Sequence, residues 1–350
     1  MNDFHVLKIE RKPGNQIIDL LEENVIGTPG KSMVYKHHNV RAKVNSVSDP
    51  YFANLSIRNR LYGTICFSKR EVYILGMAYK AFYLRYFTFR ENFRTTNSQN
   101  HKRQTHGQIR EDVVQLMNGK GLDSQGDLIL YAYVDPGNIR SKRLIDEFGF
   151  QKISSFQVIP FSRLFPKQNK QVAIAEKSHQ KEIKDKLDVI YSSEQLVSFD
   201  HLFKRGEYFI YKDNGKIVCG VQAIPDQWEI LEMPGAGGKV LLTVLPKIPI
   251  IKRLFHPEYK FVFLESIFCS EGYEHLLSAL FESALHHYKV NSGILCLDQM
   301  SNIYSMVKKN NLGLIHYLQG EKQIDIVVKT SNYKLLKNNF PVSVSGFDVL

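Results

Sequence analysis

The turn VDPGNIRS, residues 134–141, gathers Asp135, Asn138 and Ser141, and DQMSNIYS at 298–305 gathers a similar set. In both, Asn-Ile-x-Ser (138–141 and 302–305) is followed by a glycine eleven residues after the asparagine, Gly149 and Gly313. Asparagine and serine so placed cap a helix, and the same side chains can hold a polar ligand laid across the turn. A second pattern is HKRQTHG, 101–107, where His101, Lys102, Arg103 and His106 stand ahead of a helix-opening glycine. A helix N-terminus presents unpaired N–H groups and about half a positive charge, so a basic loop there suits a diphosphate. In the corresponding place before Gly272 stand Cys269, Ser270 and Glu271, and a carboxylate opposes an anion. MPGAGGKVLL at 233–242 has the glycines and lysine of a phosphate loop, but their spacing is compressed and Val240 replaces the hydroxyl that holds magnesium. It reads as a loop.

The elements that must position these residues follow a repeated order. FHVLKIE reads as a strand and NQIIDLLEEN as a helix, with VIGTPGKSMVYKHH and the polar stretch near 45–50 as loop. ANLSIRN, LYGTICFS, EVYILGMAY and AFYLRYFTFR alternate as strands. GQIREDVVQLM carries Ile109, Val113, Leu116 and Met117 at helical spacing; the strand DLILYAYV, the helix after Asn138 and FQKISSFQVIPF follow. The second half reruns this order: a hairpin EYFIYKDNGKIVCGVQAI with an Asn-Gly turn, the strand KFVFLESIF, the helix GYEHLLSALFESALHHY, the strand GILCLDQ and the helix SNIYSMVKKNNLG. Residues 167–189, rich in Lys, Gln and Glu, read as a solvated connector, partly helical.

At 350 residues the chain exceeds the size of one ordinary core, which agrees with two halves. With 43% hydrophobic and 23% charged residues it is globular. A formal charge of +11 favours an anionic partner: nucleic acid, an acidic surface or a phosphorylated cofactor. The 18 Tyr and 22 Phe fall mostly in strand-like alternation, which assigns them to sheet faces rather than to base stacking. Cys66, Cys219, Cys269 and Cys296 stand singly among apolar neighbours and read as small buried hydrophobes, so no metal is expected. Neither a signal peptide nor a membrane span is expected, and a cytoplasmic location follows by default.

The order strand, glycine-opened helix, strand, Asn-x-x-Ser helix and Gly-Phe resembles the GNAT superfamily of acyl-CoA-dependent N-acyltransferases. The resemblance rests on Gln104-x-x-Gly107 and on Val134-Asp135 through Asn138, Ser141, Gly149 and Phe150, and covers about 50–165 well and 205–330 weakly. It implies an α/β fold of two tandem GNAT-like domains, each a twisted mixed β-sheet flanked by helices: 1–166 binding acyl-CoA, a connector 167–189, and a degenerate copy over 190–350. It further implies acetyl transfer from acetyl-CoA, bound by Arg103, Gln104, His106, Gly107, Gln108, Asn138 and Ser141, to an amine-bearing acceptor. The reaction needs a neutral amine, a stabilised oxyanion and a proton for the thiolate. Glu91 and Asp135 are the candidate bases, and Ser141 with Tyr131 or Tyr133 the candidate proton source. Ile109 stands where the family pattern has a small residue, and Ile145 where it often has the proton-donating tyrosine. These departures sustain a competing expectation, a non-catalytic member of the fold whose cationic surface takes nucleic acid or another polyanion.

Overall fold

The computed structural model describes residues 4–90, 101–124, 126–235 and 237–349. The described residues build one sheet of 13 strands. In chain order these are β1 (Leu7–Glu10), β2 (Val34–His37), β3 (Pro50–Ile57), β4 (Arg60–Ile74), β5 (Met77–Phe89), β6 (Ile129–Val134), β7 (Gln151–Ser162), β8 (Val172–Ile174), β9 (Glu207–Asp213), β10 (Lys216–Glu232), β11 (Glu258–Cys269), β12 (Ser292–Asp298) and β13 (Lys322–Thr330). Across the sheet the order is β1-β3-β4-β5-β6-β13-β7-β12-β11-β10-β9-β8, with β2 on β10.

That order repeats about its middle. β5 runs parallel to β6, and β11 parallel to β12, each through two residue pairs: Phe82↔Leu130 with Tyr83↔Tyr131, and Val262↔Gly293 with Phe263↔Ile294. All the remaining pairings are antiparallel. The centre is crossed over. β13, from the second half, lies between β6 and β7, while β7, from the first half, pairs with β12. Neither half closes its own sheet, so neither buries its central strands without the other.

Helices cover the sheet where their apolar stripes demand it. α1 (Asn15–Glu22) and α2 (Val40–Asn45) bury Ile17, Leu20, Leu21, Val40 and Val44 against Phe52 and Leu61. α3 (His101–Met117) sets Leu116 and Met117 against Leu7, Phe67, Phe82 and Leu130. Its Asp112, fully buried, accepts the backbone N–H groups of His5, Val6 and Leu7 at 2.7–3.0 Å and ties β1 to the helix. α4 (Ile139–Glu147) follows β6 and ends at Gly149, whose φ of +74° lets the chain turn into β7. α7 (Leu277–Tyr288) buries Leu277, Leu280, Phe281, Ala284 and Leu285 against β9–β12, each large side chain worth about 1.5–3 kcal/mol. Between α4 and α7 lie α5 (Gln180–Ile190) and α6 (Gly238–Thr243); α8 (Asn302–Lys308) and α9 (Leu314–Gln319) follow.

Four expectations change. Residues 167–189 are partly helical as expected but packed rather than solvated: β8 pairs with β9, and α5 buries Ile183 and Leu187 completely. The stretch 25–38 holds β2, which pairs with the far end of the long β10 and, through Tyr35, bridges back to Ile26. LYGTICFS and the start of EVYILGMAY are one strand, β4, which turns at Leu75-Gly76 into β5. Two of the cysteines meet: Cys219 faces Cys269 across β10 and β11 with their sulfurs 3.0 Å apart, both free and buried. Among the described residues no helix is long and apolar enough to cross a membrane; this says nothing of membrane-spanning strands.

Candidate functional site

β5 breaks its alternation where it leaves β6. Opposite β4, Cys66 faces Arg85 and Thr64 faces Thr88, so Tyr86 and Phe87 together oppose Ile65 alone. Tyr86 takes φ +57°, a left-handed conformation that is costly for a bulky residue and recurs at functional sites. The bulge bends β5 away from β6 and opens a wedge between two strands that are paired only at Phe82 and Tyr83. β11 repeats the device: Gly220 faces Phe268 and Gln222 faces Glu265, with Ser266 between them at φ +49°.

In the first half the wedge holds a cavity of about 350 Å³. Its inner wall is made of the buried Ile65, Met117 and Phe150, and its rim carries Asp135, Asn138, Ser141 and Lys322. Tyr86 and Phe87 of the bulge, Tyr133, and Asp348 with Val349 complete the lining. Ile145 also faces it, so the position of the expected tyrosine is apolar wall. Burial lifts the Tyr133 phenol well above its ordinary range; it stays protonated and can donate a hydrogen bond, but gives up the proton reluctantly.

The structure brings together three of the residues singled out from sequence. Asn138 is the N-cap of α4, its Oδ1 accepting the Ser141 backbone N–H at 3.2 Å, and both residues line the cavity mouth. Asp135 is pinned there: Oδ1 accepts the Gly137 N–H at 2.9 Å and Oδ2 accepts from Lys322 Nζ at 2.7 Å. As a base it would first have to leave that cation. Glu91 lies outside the described residues.

The glycine expected to open the helix lies inside it. α3 begins at His101, so Arg103, Gln104 and His106 are in its first turns, and Gly107 and Gln108 lie inside the helix. The side chains of 101–106 are outside the description. Gly107 is exposed, and a Cβ added to it would meet nothing within 4 Å. The run HKRQTH contains neither Pro nor Gly, and helix formation carries back through it.

The second half corrects the register of the repeat. Asp298 Oδ1 accepts the Met300 N–H at 2.9 Å, as Asp135 accepts from Gly137, and the N-cap is Ser301, whose Oγ accepts the Tyr304 N–H at 3.1 Å. The matching turns therefore run from Asp135 to Asn138 and from Asp298 to Ser301, 163 residues apart. Asn302 is the first residue inside α8 rather than its cap. The second wedge is also filled. Residues 342–344 run along it, Val342 donating its N–H to Asp298 Oδ2 at 3.0 Å, and the space left beside Ser266, Cys296 and Ser301 is about 10 Å³.

The same segment continues into a buried ionic cluster between the halves. Asp348 accepts from Arg70 Nη1 at 2.5 Å and Nη2 at 3.1 Å, its carbonyl accepts from Tyr83 Oη at 2.6 Å, and Arg85 Nη1 stands 3.8 Å away. Burial alone would lift the Asp348 carboxyl, but the facing Arg70 guanidinium brings it below the ordinary range. Glu265 accepts from Ser345 Oγ at 3.0 Å and from the Phe347 N–H at 3.3 Å, and burial pushes its carboxyl up to about 7. These anchors carry Asp348 and Val349 to the first cavity. Nothing in the local sequence of 342–349 signals that role, nor do the two bulges show in the alternation of the strands that contain them.

No family model matches the chain, and no curated protein matches it. Among solved structures, Saccharomyces cerevisiae N-myristoyltransferase with bound myristoyl-CoA is similar. One such structure superposes with a TM-score of 0.58 at 8% identity, over 94% of this chain and 83% of that one. A second gives 0.58 at 9% identity, over 99% of this chain and 86% of that one. At such identity the likeness shows the fold alone: a mixed α/β protein with a large twisted mixed sheet flanked by helices.

Proposed function

We propose that the chain is an acyl-CoA-dependent N-acyltransferase in which the first half binds the cofactor and the second is a duplicated, filled copy. The observation that carries this reading is the cavity of about 350 Å³ in the wedge between β5 and β6, with a bulge on one side and the capped start of α4 on the other. Its likeness in fold to a protein that binds myristoyl-CoA supports the same reading. Asn138 and Ser141 hold the pantetheine arm across the α4 turn. The N–H groups at the start of α3, near His101 to Gln104, meet the phosphates in place of those at Gly107. The acyl group is acetyl or longer, and the apolar wall of Ile65, Met117 and Phe150 favours a chain of several methylenes.

In the reaction the amine nitrogen attacks the thioester carbon, the C–S bond breaks, the amine loses a proton and the thiolate gains one. Asp135, once released by Lys322, or Glu91 takes the amine proton and passes it to water, while Ser141 and Tyr133 donate hydrogen bonds to the leaving sulfur, which takes its proton from water; a thiol pKa of about 8.5 makes it a tolerable leaving group. The test is thiol release from acyl-CoAs of two to fourteen carbons with a panel of amines, beside calorimetric titration of each acyl-CoA. Binding with amine-dependent release is expected. No binding at any chain length would refute the reading, and stabilisation by a DNA or RNA oligomer instead would favour the cationic-surface alternative.

A further inference from the structure

A second cavity, of about 190 Å³, adjoins the first and shares Ile26, Tyr86 and Phe87 with it as a common wall. Leu21, Asn24, His37, Val40 and Lys43 complete its lining, so polar and apolar side chains share it. His37 reaches it because β2 pairs with the far end of β10, His37 opposite Trp228; Tyr35 stacks on that indole at 4.4 Å, and the imidazole meets it edge-on at 5.8 Å. The ring is thus held in place by two neighbours.

The protonation of that ring follows from its partners. Lys43 Nζ lies 3.5 Å from His37 Nδ1, and an ammonium only donates, so Nδ1 is the acceptor. Burial, with the Lys43 and Arg85 cations nearby, keeps the imidazole neutral and leaves its proton on Nε2. Lys43 is itself engaged by Asp226 at 2.6 Å. His37 Nε2 and Tyr86 Oη are both buried, and neither has a hydrogen-bond partner among the described residues. Both atoms belong to residues that line the cavity, and a buried polar atom left unpaired calls for a partner. The Nε2–H requires an acceptor, the hydroxyl takes either role, and the neighbouring cations disfavour an ammonium.

We propose that this cavity seats an oxygen-bearing group of the acceptor, a hydroxyl or carboxamide on the carbons next to the reacting amine, bound by His37 Nε2 and Tyr86 Oη. The amine is thereby aimed across the Tyr86–Phe87 wall at the first cavity. Calling the guest part of the acceptor rests on the acyltransferase reading; the cavity's preference for an oxygen acceptor does not.

The probes are 2-aminoethanol against propylamine, and glycinamide against isobutylamine, each pair alike in shape and only the first member carrying the hydroxyl or carboxamide. Dissociation constants are read from the His37 imidazole resonances and by calorimetry, on the wild type, Tyr86→Phe and His37→Phe. We expect at least tenfold tighter binding of the oxygen-bearing member in each pair, falling to threefold or less in Tyr86→Phe. If His37→Phe fails to fold, Tyr86→Phe and the wild-type resonances decide alone. Equal affinities within each pair, or an unmoved His37 signal, would mean that water meets these atoms and would overturn the proposal. Thiol release with the same amines separates the two readings: selective binding without turnover by any acyl-CoA sinks the acyltransferase and leaves the cavity, and turnover without selectivity does the reverse.

Discussion

Replacing Asn138 with alanine separates a ligand contact from a helix cap, because the protein supplies its own control. Asn138 Oδ1 and Ser301 Oγ each accept one backbone N–H at the start of a short helix, at 3.2 and 3.1 Å. Losing such a cap costs about 0.5–2 kcal/mol, the lower part of the range for the exposed Asn138 and the upper for the buried Ser301. With an unfolding entropy of about 2.1 cal/mol/K per residue, 1 kcal/mol moves Tm by only about 1–2 °C in a chain of this size. Stability alone therefore barely distinguishes the two variants. Affinity does: Asn138 is at the mouth of the open cavity and Ser301 beside the filled one. Asn138→Ala should lose one hydrogen bond to the pantetheine arm, about 0.5–1.5 kcal/mol, a two- to tenfold weakening. Ser301→Ala should bind acyl-CoA as the wild type does, and Asn302→Ala, exposed and outside the cap position, should change neither quantity. Melting curves and calorimetric titrations on the three variants make the comparison. Undiminished affinity in Asn138→Ala, or equal loss in Ser301→Ala, would refute the assignment of the arm to the α4 turn.

Gly107→Ala should stabilise the protein by about 0.5–1 kcal/mol, since the position is helical, exposed and free of contacts for a Cβ. Chemical denaturation checks this, and a tenfold fall in acyl-CoA affinity would restore the cradle to Gly107. Glu265→Gln should flatten the fall of stability with pH. The folded carboxyl keeps its proton up to about 7 and the unfolded one only to its usual 4.5, so the folded state binds more protons and stability declines as pH rises between them, by on the order of 3 kcal/mol. Glu194, pushed up to about 8 by burial, extends the decline and is untouched by the substitution. Parallel melting profiles of the variant and wild type from pH 5 to 8 would show that Glu265 is not the group.

Much of the scaffold could be read from local chemistry. Asp213-Asn214-Gly215 between two alternating runs forms the β9–β10 hairpin, with both turn residues at positive φ. Asp135-Pro-Gly-Asn138 opens α4 and Gly149 closes it. What escaped is set by distant partners. The exchange of β7 and β13 depends on pairing between strands over 150 residues apart, which no local pattern encodes. The bulge at Tyr86 sits within AFYLRYFTFR, where alternating residues read as continuous pleat although two of them face one position of β4. His37 escaped because a four-residue strand paired at the far end of β10 is too short to show a period. Asn-Ile-x-Ser recurs at a spacing of 164, while the turn and N-cap with matching hydrogen bonds recur at 163, a difference of one residue that the letters alone hide.

The asymmetry of the two wedges is a matter of filling rather than of charge. From sequence, Glu271 argues against a second cofactor site. In the fold, residues 341–345 decide it sooner: Gln195 donates its N–H to the Pro341 carbonyl at 2.9 Å, Ser343 donates back to the Gln195 carbonyl at 2.9 Å, and Val342 is 1% exposed against Asp298 and the β11 bulge. A bound pantetheine would have to displace this segment, breaking those bonds and freeing the anchors that hold Asp348 beside the first cavity. Val342→Ala should therefore destabilise by about 2 kcal/mol, because the methyl groups it removes are closely packed, yet it should not create a second site. Calorimetry on both proteins should return one acyl-CoA per chain. Two equivalent sites in the wild type would refute the argument from filling, and a second site appearing only in the variant would show that Val342 alone closes the wedge, with the surrounding hydrogen bonds contributing little.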